Sequence, residues 1–361
     1  MRSYRKILNE IKPYVSGMPI EDVKRMYKLK DVYKLASNEN PFVPAFVQKA
    51  VLKELKNINR YPQSDSFALA NRIADKFDVD IRQVIFGNGS DELIVMALRT
   101  FIDQDDEVIV AYPTFLMYEL QARVCGAKVV KVPLKDYRYD LDTMLAAVTD
   151  KTKIIFIANP DNPTGTYLTH SEIEVFLSKV PEDILVFLDE AYYEFAPKDF
   201  PDSRRLMERY SNVIIARTFS KVYGLAGLRI GYGITNIELV AVMNKVRDPF
   251  NVNRMAQAAA KAVLDNPGFV EKVVKFTVRE KKYIYAELDR MGIIYLPSAT
   301  NFITIDFKKD TKDLFDFFIK KGLIVRPLSG WGLPNFFRVT VGLRKENVKF
   351  IKLLKKYVKS K

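Results

Sequence analysis

The sequence predicts an α/β protein with a doubly wound, mostly parallel seven-stranded sheet and a smaller C-terminal α/β domain. Three observations carry the prediction. Between residues 84 and 234, short apolar runs alternate with helical or turn segments, the pattern of strands joined by crossover helices. Several of these runs end directly in polar or glycine-rich segments, namely GNGSDE, YPTF, NPDNPTG, DEAYYEF and TFSK. Open α/β sheets gather their chemistry at such strand ends. Beyond residue 250 the texture changes to one long helical pattern followed by shorter strands. The 361 residues, 48% of them hydrophobic, exceed what one small core needs and suit a large domain plus a smaller one, or an insertion-rich single domain.

In order, the expected strands are Val84 to Phe86, Glu107 to Ala111, Lys128 to Val132, Ile154 to Ala158, Ile184 to Leu188, Val213 to Ala216 and Leu228 to Ile234. Asn266-Pro267-Gly268 then punctuates the chain. A long helix follows, placing Val270, Val274, Ile284, Leu288 and Met291 on one face at about 100° per residue, with Gly292 as its stop. Strand-like IIYL and NFITIDF, a helix in DTKDLFDFFIKKG, strand-like LIVRPL and FFRVTVG, and a terminal helix complete the smaller unit. The expected organisation is an N-terminal arm over 1–34, a large domain over 35–250 and a small domain over 251–361.

Composition removes several function classes. The single cysteine, Cys125, excludes an internal disulfide and a cysteine-based metal cluster, and the single histidine, His170, leaves no histidine metal triad. His170 reads instead as the start of a helix, because Thr169 and Glu172 have capping-box spacing. No metal site is expected. The net charge of +13 invites a nucleic-acid partner, but the basic residues are dispersed. Their densest cluster, 349–361, interleaves lysines with Phe350, Ile351, Leu353, Leu354 and Val358 as a docked amphipathic helix. No specific nucleic-acid binding is expected. The amino-terminal segment shows no apolar core or small-residue cleavage site, and no apolar run reaches membrane-spanning length, so a cytoplasmic location without a membrane partner is expected.

Four segments carry candidate chemistry. Lys221 follows the apolar run Val213–Ala216 through Arg217-Thr218-Phe219-Ser220, where partial desolvation favours a neutral amine able to form a Schiff base. Asp189 ends ILVFLD at the rim of a low-dielectric region, suited to holding a pyridine nitrogen protonated, and Tyr192 lies three residues on. In NPDNPTG, two Asn-Pro steps and Gly165 stiffen a loop that fixes Asn162. In GNGSDE, the glycines lead into a helix N-terminus with free N–H groups for a phosphate. Read alone, each also has a structural reading: a solvated turn lysine, a strand-end acid capping a turn, a plain turn, and a helix start with Asp91 and Glu92 in its first turn.

Taken in order, GSDE, PTF, NPDNPTG, DEAYYEF, SK, GLRIGYG and FFRVTVG, this chain resembles the fold-type I pyridoxal-phosphate aminotransferases over nearly its whole length. Within them it is most similar to the histidinol-phosphate aminotransferases, through PYVSGMPIEDV (13 to 23), LASNENP (35 to 41), NRYP (59 to 62) and RTFSKVYGLAGLRIGYG (217 to 233). The resemblance implies pyridoxal 5′-phosphate bound to Lys221, with Asp189 on its ring nitrogen and Tyr192 and Asn162 on its 3′-oxygen. Ser220, Arg229 and the backbone at Gly89 and Ser90 would hold the phosphate, and Phe115 would stack on the ring. Tyr61 would reach the phosphate of a neighbouring subunit, implying a homodimer. Arg338 would bind the substrate anion, with Arg326 assisting and Tyr14 close to the substrate. Val222, Asp161 and Phe115 depart from the usual small residue, asparagine and tyrosine. The implied reaction is transamination of histidinol phosphate with 2-oxoglutarate in histidine synthesis. Aromatic amino-acid aminotransferases and threonine-phosphate decarboxylases share the scaffold.

Overall fold

The computed structural model describes residues 4–360. Residues 1–3 of the expected arm and Lys361 of the expected terminal helix lie outside the described residues. The chain forms strands β1 (Tyr33–Lys34), β2 (Val84–Gly87), β3 (Glu107–Tyr112), β4 (Lys128–Pro133), β5 (Thr152–Ala158), β6 (Leu185–Asp189), β7 (Val213–Thr218), β8 (Gly231–Ile234), β9 (Ile294–Leu296), β10 (Phe302–Asp306), β11 (Leu323–Ile324), β12 (Arg326–Pro327) and β13 (Phe336–Thr340).

The main sheet has seven strands in the order β2-β8-β7-β6-β5-β3-β4. Strands β7, β6, β5, β3 and β4 run parallel, while β8 is antiparallel to both β7 and β2. Helices cover both faces, so β6 and β7 are buried along their whole length, and up to Asp189, Arg217 and Thr218 at their carboxyl ends their sequences are continuous apolar runs rather than alternating ones. The parallel direction brings the carboxyl ends of β5, β6 and β7 to one edge. That edge receives Asp189 at the end of β6 and Lys221 three residues after β7.

One expected strand is shorter than its sequence suggests. Leu228 to Ile234 reads as a single run, yet Ala226–Leu228 forms a 3-10 turn and Arg229 adopts a left-handed conformation with φ 55°, so β8 begins at Gly231. The break turns the Arg229 guanidinium toward Ser220. At Gly231 the next element presses closely, since a β-carbon there would lie 2.8 Å from the Gly89 carbonyl carbon.

A second sheet has the order β12-β13-β10-β9. The expected strand LIVRPL is divided between two sheets: β11 pairs in parallel with β1, and β12 pairs with β13. Pro327 cannot donate to a ladder and sits on the edge strand, where no donation is required. The long helix runs Pro267–Asp289 with Ile284 and Leu288 fully buried. The terminal helix, Arg344–Lys359, buries Phe350, Ile351 and Leu354 while its lysines face outward. Thr169 and Glu172 form the expected capping box with His170 as the first helical residue. No helix among the described residues is long and apolar enough to cross a membrane.

Candidate active site

The strand ends and the N-terminus of the helix Ser90–Phe101 enclose a cavity of about 490 Å³. Its walls include Tyr14, Ser90, Phe115, Asn162, Asp189, Tyr192, Ser220, Lys221 and Arg229. Residues scattered over more than two hundred positions of sequence thus meet around one space.

At one end sits Asp189, 6% exposed. Its Oδ2 accepts a 2.7 Å hydrogen bond from the Tyr118 hydroxyl, and its Oδ1 accepts the Ala191 N–H at 3.0 Å. Burial pushes its carboxyl up to about 6, opposed by those two hydrogen bonds and by the positive charge of Lys221. A carboxylate held in this way gains most from a protonated nitrogen placed opposite it.

At the other end, Gly89 caps the helix with φ 83°, a conformation glycine adopts without steric cost, and the helix begins at Ser90. Arg229 donates from Nη1 to Ser220 Oγ at 3.3 Å and pairs through Nη2 with Asp91 Oδ2 at 3.2 Å. A β-carbon on Gly89 would collide with the Arg229 guanidinium, so glycine is required for the arginine to lie against the helix N-terminus. Free helix N–H groups, two hydroxyls and a guanidinium are the donor set of a phosphate cradle.

Between the two ends, the Lys221 amine lies 5.6 Å from the ring centre of Tyr192. Phe115 forms a side wall, packed edge-on to Tyr118 at 5.5 Å. Asn162 receives a hydrogen bond on its Oδ1 from Arg338 Nη1, which leaves its amide hydrogens free as donors. Arg338 is itself buried, donates from Nη2 to the Ala36 carbonyl at 3.0 Å, and keeps its Nε without a protein partner. A lysine, a ring-sized space, a carboxylate at one end and a phosphate cradle at the other match the shape and charge of pyridoxal phosphate.

Two expected residues stand apart from this cavity. Arg326 lines an adjoining cavity of about 440 Å³ that shares Tyr14 with the first. Its guanidinium lies 5.0 Å from the Trp331 ring and 5.7 Å from the Tyr14 ring, and it donates to the Val15 carbonyl at 2.6 Å. Tyr61 is 77% exposed and stacked on Phe250 with ring centres 4.5 Å apart, away from the cavity of its own chain.

Three contributors have roles that the sequence did not assign, although Asn38 lies in LASNENP and Asp161 departs from the usual asparagine. Tyr118 follows Phe115 by one helical turn and carried no motif of its own. Asn38 donates from Nδ2 to the Tyr192 hydroxyl oxygen at 2.8 Å, across 154 residues of sequence. Asp161 lies buried behind Asn162, accepting hydrogen bonds from Thr114 Oγ1 at 2.7 Å and from Thr164 Oγ1 at 2.8 Å. Burial pushes the Asp161 carboxyl up to about 6 despite those bonds.

The chain belongs to the family described as aminotransferase class I and II, whose match spans residues 30–351. It is a pyridoxal-phosphate-dependent aminotransferase of fold type I. Histidinol-phosphate aminotransferase 1 of Mannheimia succiniciproducens is 44% identical to it over 353 residues, covering 97% of this chain and 96% of that one. Histidinol-phosphate aminotransferase 2 of Haemophilus influenzae is 44% identical over 354 residues, covering 98% and 97%. Among solved structures, histidinol-phosphate aminotransferase from Sinorhizobium meliloti in complex with pyridoxal 5′-phosphate superposes with a TM-score of 0.91 at 28% identity, covering 100% of this chain and 98% of that one. Aspartate aminotransferase from Thermus thermophilus with maleate, at 22% identity, shares the fold with a TM-score of 0.85, covering 99% and 100%.

Proposed function

We propose that this enzyme transfers the amino group of L-histidinol phosphate to 2-oxoglutarate, giving imidazole-acetol phosphate and L-glutamate, as a cytoplasmic homodimer in histidine biosynthesis. The observation that carries the reading is the pairing of a phosphate-compatible cofactor cavity with a buried arginine, Arg338, whose guanidinium abuts it through Asn162. Full-length relatives at 44% identity that bear this activity in their names support it.

When bound, the cofactor supplies an electron sink for charge released at the substrate Cα. Lys221 would hold the cofactor covalently and, once freed, would carry the substrate Cα proton as general base and acid. Asp189, stabilised as a carboxylate by Tyr118 and the Ala191 N–H, would keep the ring nitrogen protonated. Asn162 and Tyr192 would donate to the phenolic oxygen, and Phe115 would cover the ring. Ser220, Arg229 and the N–H groups after Gly89 would anchor the cofactor phosphate, with Tyr61 of a neighbouring subunit adding a further contact.

Histidinol phosphate has no carboxylate, so its own phosphate must supply the anchor that the α-carboxylate supplies in glutamate. A planar guanidinium pairs bidentately with either group, which suits Arg338, with Arg326 as the second charge and Tyr14 beside the substrate. Steady-state rates on histidinol phosphate, phenylalanine and threonine phosphate from one preparation test the reading. Histidinol phosphate should give the highest kcat/KM with 2-oxoglutarate as acceptor. A preference for phenylalanine, or release of carbon dioxide from threonine phosphate, overturns it.

A further inference from the structure

The hydroxyl of Tyr192 can serve the cofactor only if its proton points into the cavity, and the residues behind it decide where that proton goes. Asn38, 1% exposed, sits behind the ring. Its backbone N–H donates to Thr340 Oγ1 at 2.9 Å, and the Thr340 hydroxyl donates in return to Asn38 Oδ1 at 3.1 Å. Asn301 donates from Nδ2 to the Asn38 carbonyl at 2.9 Å. With Oδ1 committed to Thr340, the amide face turned to Tyr192 is Nδ2, the 2.8 Å donor to the hydroxyl oxygen. An oxygen that accepts from behind has its own hydrogen left for another acceptor. The ring is held in one plane by its edge-on contact with Phe302 at 5.3 Å, so the hydroxyl has little freedom to turn away. Asn38 also has φ 57°, a left-handed conformation that asparagine tolerates better than most residues.

We propose that Asn38 is a positioning residue: fixed by Thr340 and Asn301, its amide donates to the Tyr192 hydroxyl oxygen and thereby directs the hydroxyl's proton into the cavity, toward the phenolic oxygen of the cofactor. The inference rests on the cofactor placement given under the proposed function. A hydrogen bond donated to the phenolic oxygen stabilises its anionic form and so lowers the pH at which the lysine-bound cofactor loses its proton. Asn38 acts through Tyr192 on that pH without touching the cofactor. Thr340 lies two residues from Arg338 on β13, so one strand of the second sheet orients both groups that flank the phenolic oxygen, Tyr192 through Asn38 and Asn162 through Arg338.

The test is a spectrophotometric pH titration of the holoenzyme's visible absorbance, with thermal unfolding followed in parallel. Asn38→Gly keeps the positive φ and removes the amide without adding charge; its midpoint should rise by up to about one pH unit. Asn38→Asp, which accepts from Tyr192 and draws the proton out of the cavity, should raise it further. In a Tyr192→Phe background the Asn38→Gly substitution should leave the midpoint where Tyr192→Phe alone puts it. A purely structural role would lower the melting temperature without moving the midpoint. If Asn38→Gly does not fold, Thr340→Val, which frees the amide to rotate, is read in the same way with the same sign. An unchanged midpoint, or an equal shift with and without the Tyr192 hydroxyl, overturns the inference while leaving the cofactor reading intact. A wild-type chain that takes up no pyridoxal phosphate overturns both.

Discussion

The Tyr118 hydroxyl lies 2.7 Å from Asp189 Oδ2, so the buried carboxylate at the end of β6 takes its principal side-chain donor from the helix Met117–Cys125 rather than from its own strand. Tyr118 is fully buried and stacked on Phe156 with ring centres 4.8 Å apart, which holds the hydroxyl in place. The arrangement stabilises charge on a residue that burial would otherwise neutralise.

Tyr118→Phe should preserve the stacking and remove that donor. Hydrogen bonding from Tyr118 lowers the Asp189 pKa, so its loss raises a value that already stands at about 6. The carboxylate is then neutral over a wider acidic range, and the ring nitrogen loses its partner there. Retention of pyridoxal phosphate after dialysis should fall more steeply in the variant than in the wild type between about pH 8 and about pH 6, with the acid limb displaced upward by about one unit. Parallel retention curves would remove the assigned role of Tyr118.

Arg338→Lys should retain cofactor but weaken both half-reactions. The guanidinium already spans Asn162 and the Ala36 carbonyl, and a single ammonium cannot hold those partners and an anion together. Arg326→Ala should affect histidinol phosphate more than glutamate, by about 1.5–3 kcal/mol in kcat/KM for a lost charge-assisted hydrogen bond. Equal losses on the two substrates would leave Arg326 without a phosphate-specific role.

Tyr61 points away from its own cavity and stacks on Phe250. If Tyr61 serves a neighbouring subunit, as proposed, complementation is expected. Mixing inactive Tyr61→Ala chains with inactive Lys221→Ala chains should restore part of the activity, because some hybrid sites contain both native residues. If no activity returns under conditions that exchange subunits, Tyr61 does not act across the interface.

Asp161 offers a stability test with a defined sign. Its carboxyl is raised by burial from 3.8 to about 6 in the folded chain, so its contribution is fully present below about pH 4 and is lost as pH rises through about 6. Asp161→Asn removes that titration and can still bond Thr114 and Thr164. The stability difference between variant and wild type should move in the variant's favour by up to about 3 kcal/mol between about pH 4 and about pH 8. Denaturant midpoints at the two pH values measure it, and a difference independent of pH would show that Asp161 does not titrate in that window.

The centre of the sheet was legible in the sequence because strands buried on both faces must be largely apolar, as β5, β6 and β7 are, whereas the edge strand β4 is partly exposed and carries two lysines. Leu228 to Ile234 misled because Leu228 and Ile230 continue the apolar pattern; only the approach of Arg229 to Ser220 and Asp91 explains why the backbone turns there. Lys221, Asp189 and Asn162 announced themselves through local signals, a strand end or a stiff loop. Tyr118 had none, and Asn38 and Thr340, though inside LASNENP and FFRVTVG, had nothing to mark their roles, since a tyrosine in a helix or a threonine in a strand looks the same whether or not it supports a site.

By itself the sequence determined which elements form and which chemical groups lie at their ends, because hydrophobic period and turn chemistry are properties of neighbouring residues. Only the tertiary structure decided which donor meets which acceptor. Asn38 reaches Tyr192 across 154 residues and Arg338 reaches Asn162 across 176. Such pairings depend on how two sheets dock, and the direction of a buried proton follows from the last hydrogen bond made, which no local pattern encodes.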